Sequence, residues 1–222
     1  LLVDVMHVPG MSEPQIERGA LVVPFATRQA ALLARPSLGT EVPLLAQALP
    51  WVGHVQTRAR GTICGSVAHA DPSAEIPLVL AALGGSVLVR GRTRRAVPAS
   101  DFLTGMMQTA LNEGEMIEAV SFPLDASGQA FAEFGRRHGD FALVAVAAVV
   151  AGSKVRLAVG GVNDTPMVRE WPALDAAQTD DALNEFAWSL EARGDLHATA
   201  RLRRDLVRRL GRDVIERARA CA

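Results

Sequence analysis

A mixed α+β fold is predicted, and three features of the chain predict it. Short apolar runs of strand length, rich in valine and leucine, recur from the start of the chain to about Val162. Turn signals join several neighbouring runs directly, which calls for antiparallel pairing. From Asp180 the pattern changes, and apolar residues fall four apart, as on one face of a helix.

Leu1 to Val5 is a β-like run turned by "PGM", and Gly19 to Thr27 is a second short strand. Between about Arg28 and Leu49, apolar segments are broken at Pro36, Gly39 and Pro43, which predicts two short helices. Gly61 to Pro77, "GTICGSVAHADPSAEIP", reads as a glycine-rich turn leading to a helix that opens at "DPSAEIP" and continues into "LVLAAL". "SVLVRGRTRRAV" is a hairpin turning near Gly91–Thr93, and "EMIEAVSFPL" is a strand ending at Pro123. "DASGQA", Asp125 to Ala130, has linker composition. It places a boundary near residue 126 and divides the chain into 1–126 and 127–222. Three strand-like runs follow, "AFAEFGRR", "FALVAVAAVV" and "KVRLAVGGV", the last two joined at Gly152-Ser153. In the final helical segment Leu202, Leu206, Leu210 and Val214 are expected to share the buried face. No internal repeat is present.

Composition narrows the function. The 222 residues are 49% hydrophobic and 21% charged, enough for a sizeable core. A net charge of -1 gives no general attraction to nucleic acid or acidic lipid. "FALVAVAAVVAG" is too short to span a bilayer. Cys64 and Cys221 are the two cysteines, too few to hold an iron–sulfur cluster or a structural zinc. A disulfide framework is not expected, and a cytoplasmic location is. The five histidines lack metal-site spacing, so no metal ligands are assigned. The chain starts without methionine, in what reads as a strand, and further residues are expected upstream.

Several motifs have ordinary explanations. The arginine-rich last segment reads as a solvated face offset by Asp205, Asp213 and Glu216, not as a nucleic-acid surface. "RGD" at Arg193–Asp195 is a chance tripeptide, with Asp195 preceding or capping the last helix. Cys64, His69 and Asp71 have the residue types of a thiol nucleophile, base and orienter. They lie within one short stretch, whereas catalytic sets are assembled from distant segments. A cysteine hydrolase is the weaker alternative, and no catalytic residues are assigned.

The stretch around Gly61–Pro77 carries more. Small hydroxyls, glycines and a helix start suit the phosphates of a bound ligand. With its flanks it resembles the FAD-binding medium subunits of molybdenum hydroxylases, the xanthine dehydrogenase and carbon monoxide dehydrogenase type. The family pattern R-x-R-G-T-I-G-G-[NS], then A-x-A-D-P-x-[AS]-[DE]-x-P, is met by Arg58, Arg60, Gly61, Thr62, Ile63, Gly65 and Ser66. It continues through Ala68, Ala70, Asp71, Pro72, Ala74, Glu75 and Pro77. "LVVPFATRQAAL", "DFLTGMMQTALNEGEMIEAVSFP", "FAEFGRRHGDFALVAVAAVV" and the C-terminal helical region resemble further family segments in order, so the likeness covers essentially the whole chain.

The resemblance implies an oxidoreductase subunit with FAD bound across two subdomains, of a type shared with vanillyl-alcohol-oxidase-like flavoproteins. Residues 1–126 would be the second part of that FAD-binding domain. Residues 127–222 would form a small C-terminal domain of a three-stranded antiparallel sheet plus helices. It places Thr62, Gly65 and Ser66 at the diphosphate and ribityl region, with Asp71 bonding the cofactor or locking the loop. Phe25, Ala26, Ile117, Asp140 and Phe141 are placed near the flavin. It further implies electrons arriving from [2Fe–2S] clusters in a small subunit, after substrate oxidation at a molybdenum cofactor in a large subunit, and leaving to an external acceptor. The assembly implied is a dimer of heterotrimers. A flavin-free structural or assembly homologue is the alternative. Three departures stand out. The family's A-G-G-x-S-[LF] loop is absent from this sequence, Cys64 replaces a usual glycine, and Pro24-Phe25 replace a common Gly-Ala. If position 64 needed a positive φ, its Cβ would cost about 1 kcal/mol or more.

Overall fold

The protein is described by a computed structural model that covers residues 3–222. Strands β1 (Gln15–Glu17), β2 (Ala20–Pro24), β3 (Ser86–Arg90), β4 (Arg94–Pro98), the small hairpin β5 (Leu103–Gly105) and β6 (Gln108–Thr109), and β7 (Met116–Pro123) belong to the first unit. Five of them form an antiparallel sheet in the order β1-β2-β7-β3-β4. Alternation along β2 and β3 buries Leu21, Val23, Val87 and Val89 on one face. That face shares a core with α1 (Gln29–Leu33), α2 (Leu38–Glu41), α3 (Pro43–Ala48), α5 (Ile63–His69), α6 (Glu75–Ala82) and α7 (Ala99–Phe102), while α4 (Val55–Arg60) buries no residue and lies against α1.

The second unit is a four-stranded antiparallel sheet in the order β11-β10-β9-β8, with β8 (Gly128–Phe134), β9 (Val144–Ala151), β10 (Lys154–Gly160) and β11 (Met167–Pro172). Helices α8 (Ala176–Ser189) and α9 (Ala200–Ala220) cover one face. The other face meets α3 and α6. β9 therefore has no wet face, which is why "VAVAAVVA" reads as an unbroken apolar run. Its Ala145, Ala147 and Val149 join the core of the first unit, while Val144, Val146, Ala148 and Val150 join the core beneath α8 and α9. α6 is buried along nearly all its length because it lies between β9 and β10 of the second sheet and the helices α3, α5 and α7 of the first unit.

The structure agrees with the hairpin at Gly91–Thr93, the β7 strand and the Gly152-Ser153 turn. It also corrects several expectations. Val3–Val5 is not a strand, and Leu1 and Leu2 lie outside the described residues. The region from Arg28 to Leu49 holds three helices, not two, because Pro43 starts α3 at once after α2; a 3₁₀ turn, Leu49–Trp51, follows. Strand β11 makes the second sheet four-stranded, not three-stranded. Gly128 belongs to β8, so the linker is shorter than Asp125–Ala130. Helix begins again at Ala176, earlier than Asp180, behind a capping box on Asp175. The buried seam of α9 runs through Arg203, Val207, Gly211, Val214, Ile215 and Ala218, while Leu202 is exposed and Leu206 and Leu210 are half-buried. Buried Arg203 holds that seam. Its guanidinium donates to the carbonyls of Leu143 and Gly161 and pairs with Asp195.

Candidate functional site

Helix α5 organises the site. Thr62 is its N-cap, and Thr62 Oγ1 accepts from Gly65 N–H at 2.9 Å. Segments 25–29 and 61–63 are laced together. Ile63 N–H donates to Thr27 O at 3.2 Å, Gln29 N–H donates to Gly61 O at 2.9 Å, and Arg28 bridges Thr62. At the far end Ala70 stops the helix in the left-handed region, at φ 50, and accepts from Met107 N–H at 3.0 Å. Asp71 Oδ1 then accepts from Ser73 N–H at 2.8 Å, locking the turn into α6. Pro72 O accepts from Gly161 N–H at 2.8 Å, tying that turn to the second unit.

Opposite α5 lies the loop from Gly135 to Leu143. Asp140 N–H donates to Arg137 O at 3.1 Å, and the Asp140 carboxylate faces Arg136 at 3.5 Å. Phe141 is 65% exposed. Core packing, the ordinary role for this residue, is therefore excluded. Between loop and helix is a cleft of about 430 Å³ to which Gly65, Ser66, Asp71, Asp140 and Phe141 all contribute. Gln29 and Glu75 also line it.

The other expected site residues lie elsewhere. Thr62 acts as the helix cap just behind the cleft. Ala26 and Ile117 are buried, and Phe25 borders a separate hollow of about 280 Å³ beside Met11. A further hollow of about 410 Å³ lies on the open face of the five-stranded sheet, beside Val22, Leu88 and Ala96, and holds none of the expected residues. The supposed glycine turn is itself helical. Position 64 therefore has ordinary helical geometry, and the feared backbone cost does not arise. Its thiol points inward, away from the cleft-lining residues. Sγ lies 3.4 Å from Val23 O, and burial pushes the thiol up to about 12. A thiolate nucleophile acting with His69 and Asp71 is thereby ruled out.

Glu75 and Gln29 have no role in the sequence reading beyond Glu75's place in the motif. Glu75 is only 5% exposed, and burial pushes its carboxyl up to about 7, with the charge of Asp71 adding to the effect. Glu133 on β8 is pushed up to about 8, by burial first and then by Glu75. A carboxylate opening a helix that is apolar all round is a legible sign of burial. Nothing in "TRQAAL" marks Gln29.

The cleft can offer a guest the hydroxyl groups of Thr57 and Ser66, an uncommitted amide oxygen on Gln29 and the aromatic face of Phe141. A family profile described as "FAD binding domain in molybdopterin dehydrogenase" matches residues 1–125. The nicotine 6-hydroxylase medium subunit of Paenarthrobacter nicotinovorans is 35% identical across 99% of this chain and 82% of its own length. The carbon monoxide dehydrogenase medium chain of Hydrogenophaga pseudoflava is 30% identical across 76% of this chain and 62% of its own. Among solved structures, quinoline 2-oxidoreductase from Pseudomonas putida 86 superposes with a TM-score of 0.89 at 30% identity, covering 97% of this chain and 80% of that one. Carbon monoxide dehydrogenase from Hydrogenophaga pseudoflava gives 0.91 at 26% identity, covering 99% and 82%.

Proposed function

This chain belongs to the family of FAD-binding domains of molybdopterin dehydrogenases, and from that premise we propose that it is the FAD-carrying, electron-transferring subunit of a molybdenum hydroxylase. It is a component of a molybdenum-dependent oxidoreductase. The subunit receives electrons from [2Fe–2S] clusters in a small subunit and passes them to an external acceptor, while substrate is oxidised at a molybdenum cofactor in a large subunit. A cytoplasmic dimer of heterotrimers is the assembly proposed. No helix among the described residues is long and apolar enough to cross a membrane. Residues 1–126 are taken as the FAD-binding part, related to vanillyl-alcohol-oxidase-like flavoproteins, and 127–222 as the C-terminal part.

The observation that carries the proposal is the cleft, which gathers Gly65, Ser66, Asp71, Asp140 and Phe141 from distant segments. Its donor set fits FAD. A Cβ at Gly65 would sit 2.8 Å from Thr62 Oγ1, so a side chain there would disturb the cap and crowd the wall. Gln29 Oε1 is buried without a partner and can accept from a ribityl hydroxyl or a ring N–H. Bound FAD supplies what no side chain here has: it takes electrons singly and releases them singly or in pairs. The Ser66 hydroxyl bonds the phosphate-bearing region, Gly65 lets it approach α5 closely, and Thr62 keeps that helix rigid. Asp71 fixes the turn, and Phe141 covers apolar ring surface from water. Phe25, Ala26 and Ile117 act indirectly, by packing behind the laced segments.

Ser66→Asp in the native assembly tests this. Ser66 lies midway along the seven-residue α5, so thermal unfolding of the stripped variant is compared with the parent to separate lost cofactor from a lost helix. A like charge facing the diphosphate costs on the order of 1–2 kcal/mol, about tenfold or more in affinity. The variant is expected to lose flavin absorption while the molybdenum and iron–sulfur signals persist and substrate still reduces the clusters. Stoichiometric FAD with normal onward transfer in Ser66→Asp would overturn the site. A parent assembly without flavin would favour the structural homologue instead.

A further inference from the structure

The two walls of the cleft come from different parts of the chain, and one buried side chain ties them together. One wall is α5 with the Asp71–Ser73 turn, and the other is the Gly135–Leu143 loop. That loop joins β8 to β9 and is closed at its base by Leu143 N–H, which donates to Phe134 O at 2.8 Å. Gly161, just after β10, sits between the two walls. Its N–H donates to Pro72 O at 2.8 Å, inside the Asp71–Ser73 turn. A Cβ there would come within 3.0 Å of Leu143 O and 3.1 Å of Ala142 O, and its φ of +79 favours glycine. Arg203 closes the set. Its guanidinium donates to Leu143 O on one side and to Gly161 O, at 2.8 Å, on the other.

Arg203 is in turn aimed by Asp195, the last residue of the "RGD" tripeptide. Asp195 Oδ2 accepts from the guanidinium, while Oδ1 accepts from His197 and Ala198 N–H at 2.8 Å each. Asp195 N–H donates to Ala198 O at 2.9 Å, so the carboxylate is held by its own turn. Behind the Asp71–Ser73 turn, a hollow of about 250 Å³ is bounded by Gly161, Asp195 and Arg203, which puts the ion pair at the back of the cleft wall. Helix stability does not account for a cation here. Arg203 lies at the start of α9, where the helix dipole opposes positive charge, and the first turn holds no acidic residue. The other buried residues of that helix face are Val207, Gly211, Val214, Ile215 and Ala218. An apolar side chain serves such a seam as well as a buried ion pair does. What a guanidinium adds is a rigid fork whose donors reach separate acceptors at once.

We infer that Arg203, aimed by Asp195, is a positioning residue for the flavin and fixes the spacing between the two walls of the cleft. The inference rests on FAD occupying that cleft. Arg203 is not among the cleft-lining residues and does not reach the cofactor itself. It acts through Leu143 O, at the base of the loop that carries Asp140 and Phe141, and through Gly161, which is bonded to the turn that carries Asp71. Without the fork both carbonyls lose their charged donor, and loop and turn are free to move apart. The contacts on the two sides of a bound flavin are then no longer made together, and affinity falls even where the fold survives.

The test uses the native assembly, stripped of flavin and titrated with FAD, read by quenching of free-FAD fluorescence. Arg203→Met keeps an unbranched apolar stem and removes every donor. Its dissociation constant is expected to rise by about tenfold or more. Arg203→Lys keeps the charge without the fork, and Asp195→Asn keeps the turn without the charge. Each is expected to raise the constant by roughly three- to tenfold. At saturating FAD, the visible circular dichroism of the bound flavin is expected to differ from the parent's in Arg203→Met. Arg212→Gln, which breaks the ion pair to Asp180 elsewhere on α9, is expected to keep the parent's constant and spectrum. Thermal unfolding of each stripped variant checks its fold, and should Arg203→Met not fold, Arg203→Lys and Asp195→Asn decide. Folded variants with the parent's constant and flavin spectrum, whatever their melting temperature, would make Arg203 a helix anchor only. That result would overturn the inference and leave the flavin site standing. A parent assembly that binds no FAD would overturn both.

Discussion

At Cys64 the thiol lies in the core with Sγ 3.4 Å from the Val23 carbonyl oxygen, and burial holds it protonated. A serine at this position keeps a donor for that carbonyl and loses some apolar contact, a change of about 1 kcal/mol. Cys64→Ser is expected to retain FAD and turn over within a few-fold of the parent in a dye-linked assay. Complete loss of turnover with the fold and flavin intact would contradict the packing role. Residues of this kind were half legible. Gly65, Ser66, Asp71, Asp140 and Phe141 were named from the family resemblance and meet in one cleft. Gln29 and Glu75 received no role because their significance is burial without a partner, which depends on what packs around them.

Helix and strand geometry explains where the element boundaries moved. "TICGSVAH" looks like a turn because glycine and serine favour turns. The Thr62 cap and the buried Ile63, Cys64 and Val67 make it a helix instead. On α9 a strict spacing of four drifts off the helical period of 3.6, so Val214 alone of the four expected residues is fully buried. Gly128 has the look of a linker glycine in the sequence, yet it marks close contact between β8 and α9. A Cβ there would overlap the Ala218 carbonyl oxygen and come within 2.8 Å of Ala222 N. Gly128→Ala is expected to destabilise by about 1–3 kcal/mol through overpacking, lowering Tm by roughly 5 °C. An unchanged melting curve would show that α9 yields freely at this contact. β11 leaves no apolar run in the sequence because its burial alternates residue by residue at the sheet edge.

For the whole molecule, the mixed α and β class, the turn to helix near the end of the chain and the family are legible because the apolar runs and the long motif survive intact. How the two sheets share a core is not, since only the packing of α6 against β9 reveals it. That packing brings the Gly135–Leu143 loop over α5 and so makes the cleft. The central claim is that FAD lies there and not in the hollow on the open sheet face. Photolabelling of the native assembly with an azido-FAD, followed by peptide mapping, tests it most directly. Label is expected in peptides spanning Gly61–Glu75 or Gly135–Leu143, competed away by FAD. Label confined to Gln15–Pro24 and Arg94–Ala96, on the open face of the five-stranded sheet, would contradict the account.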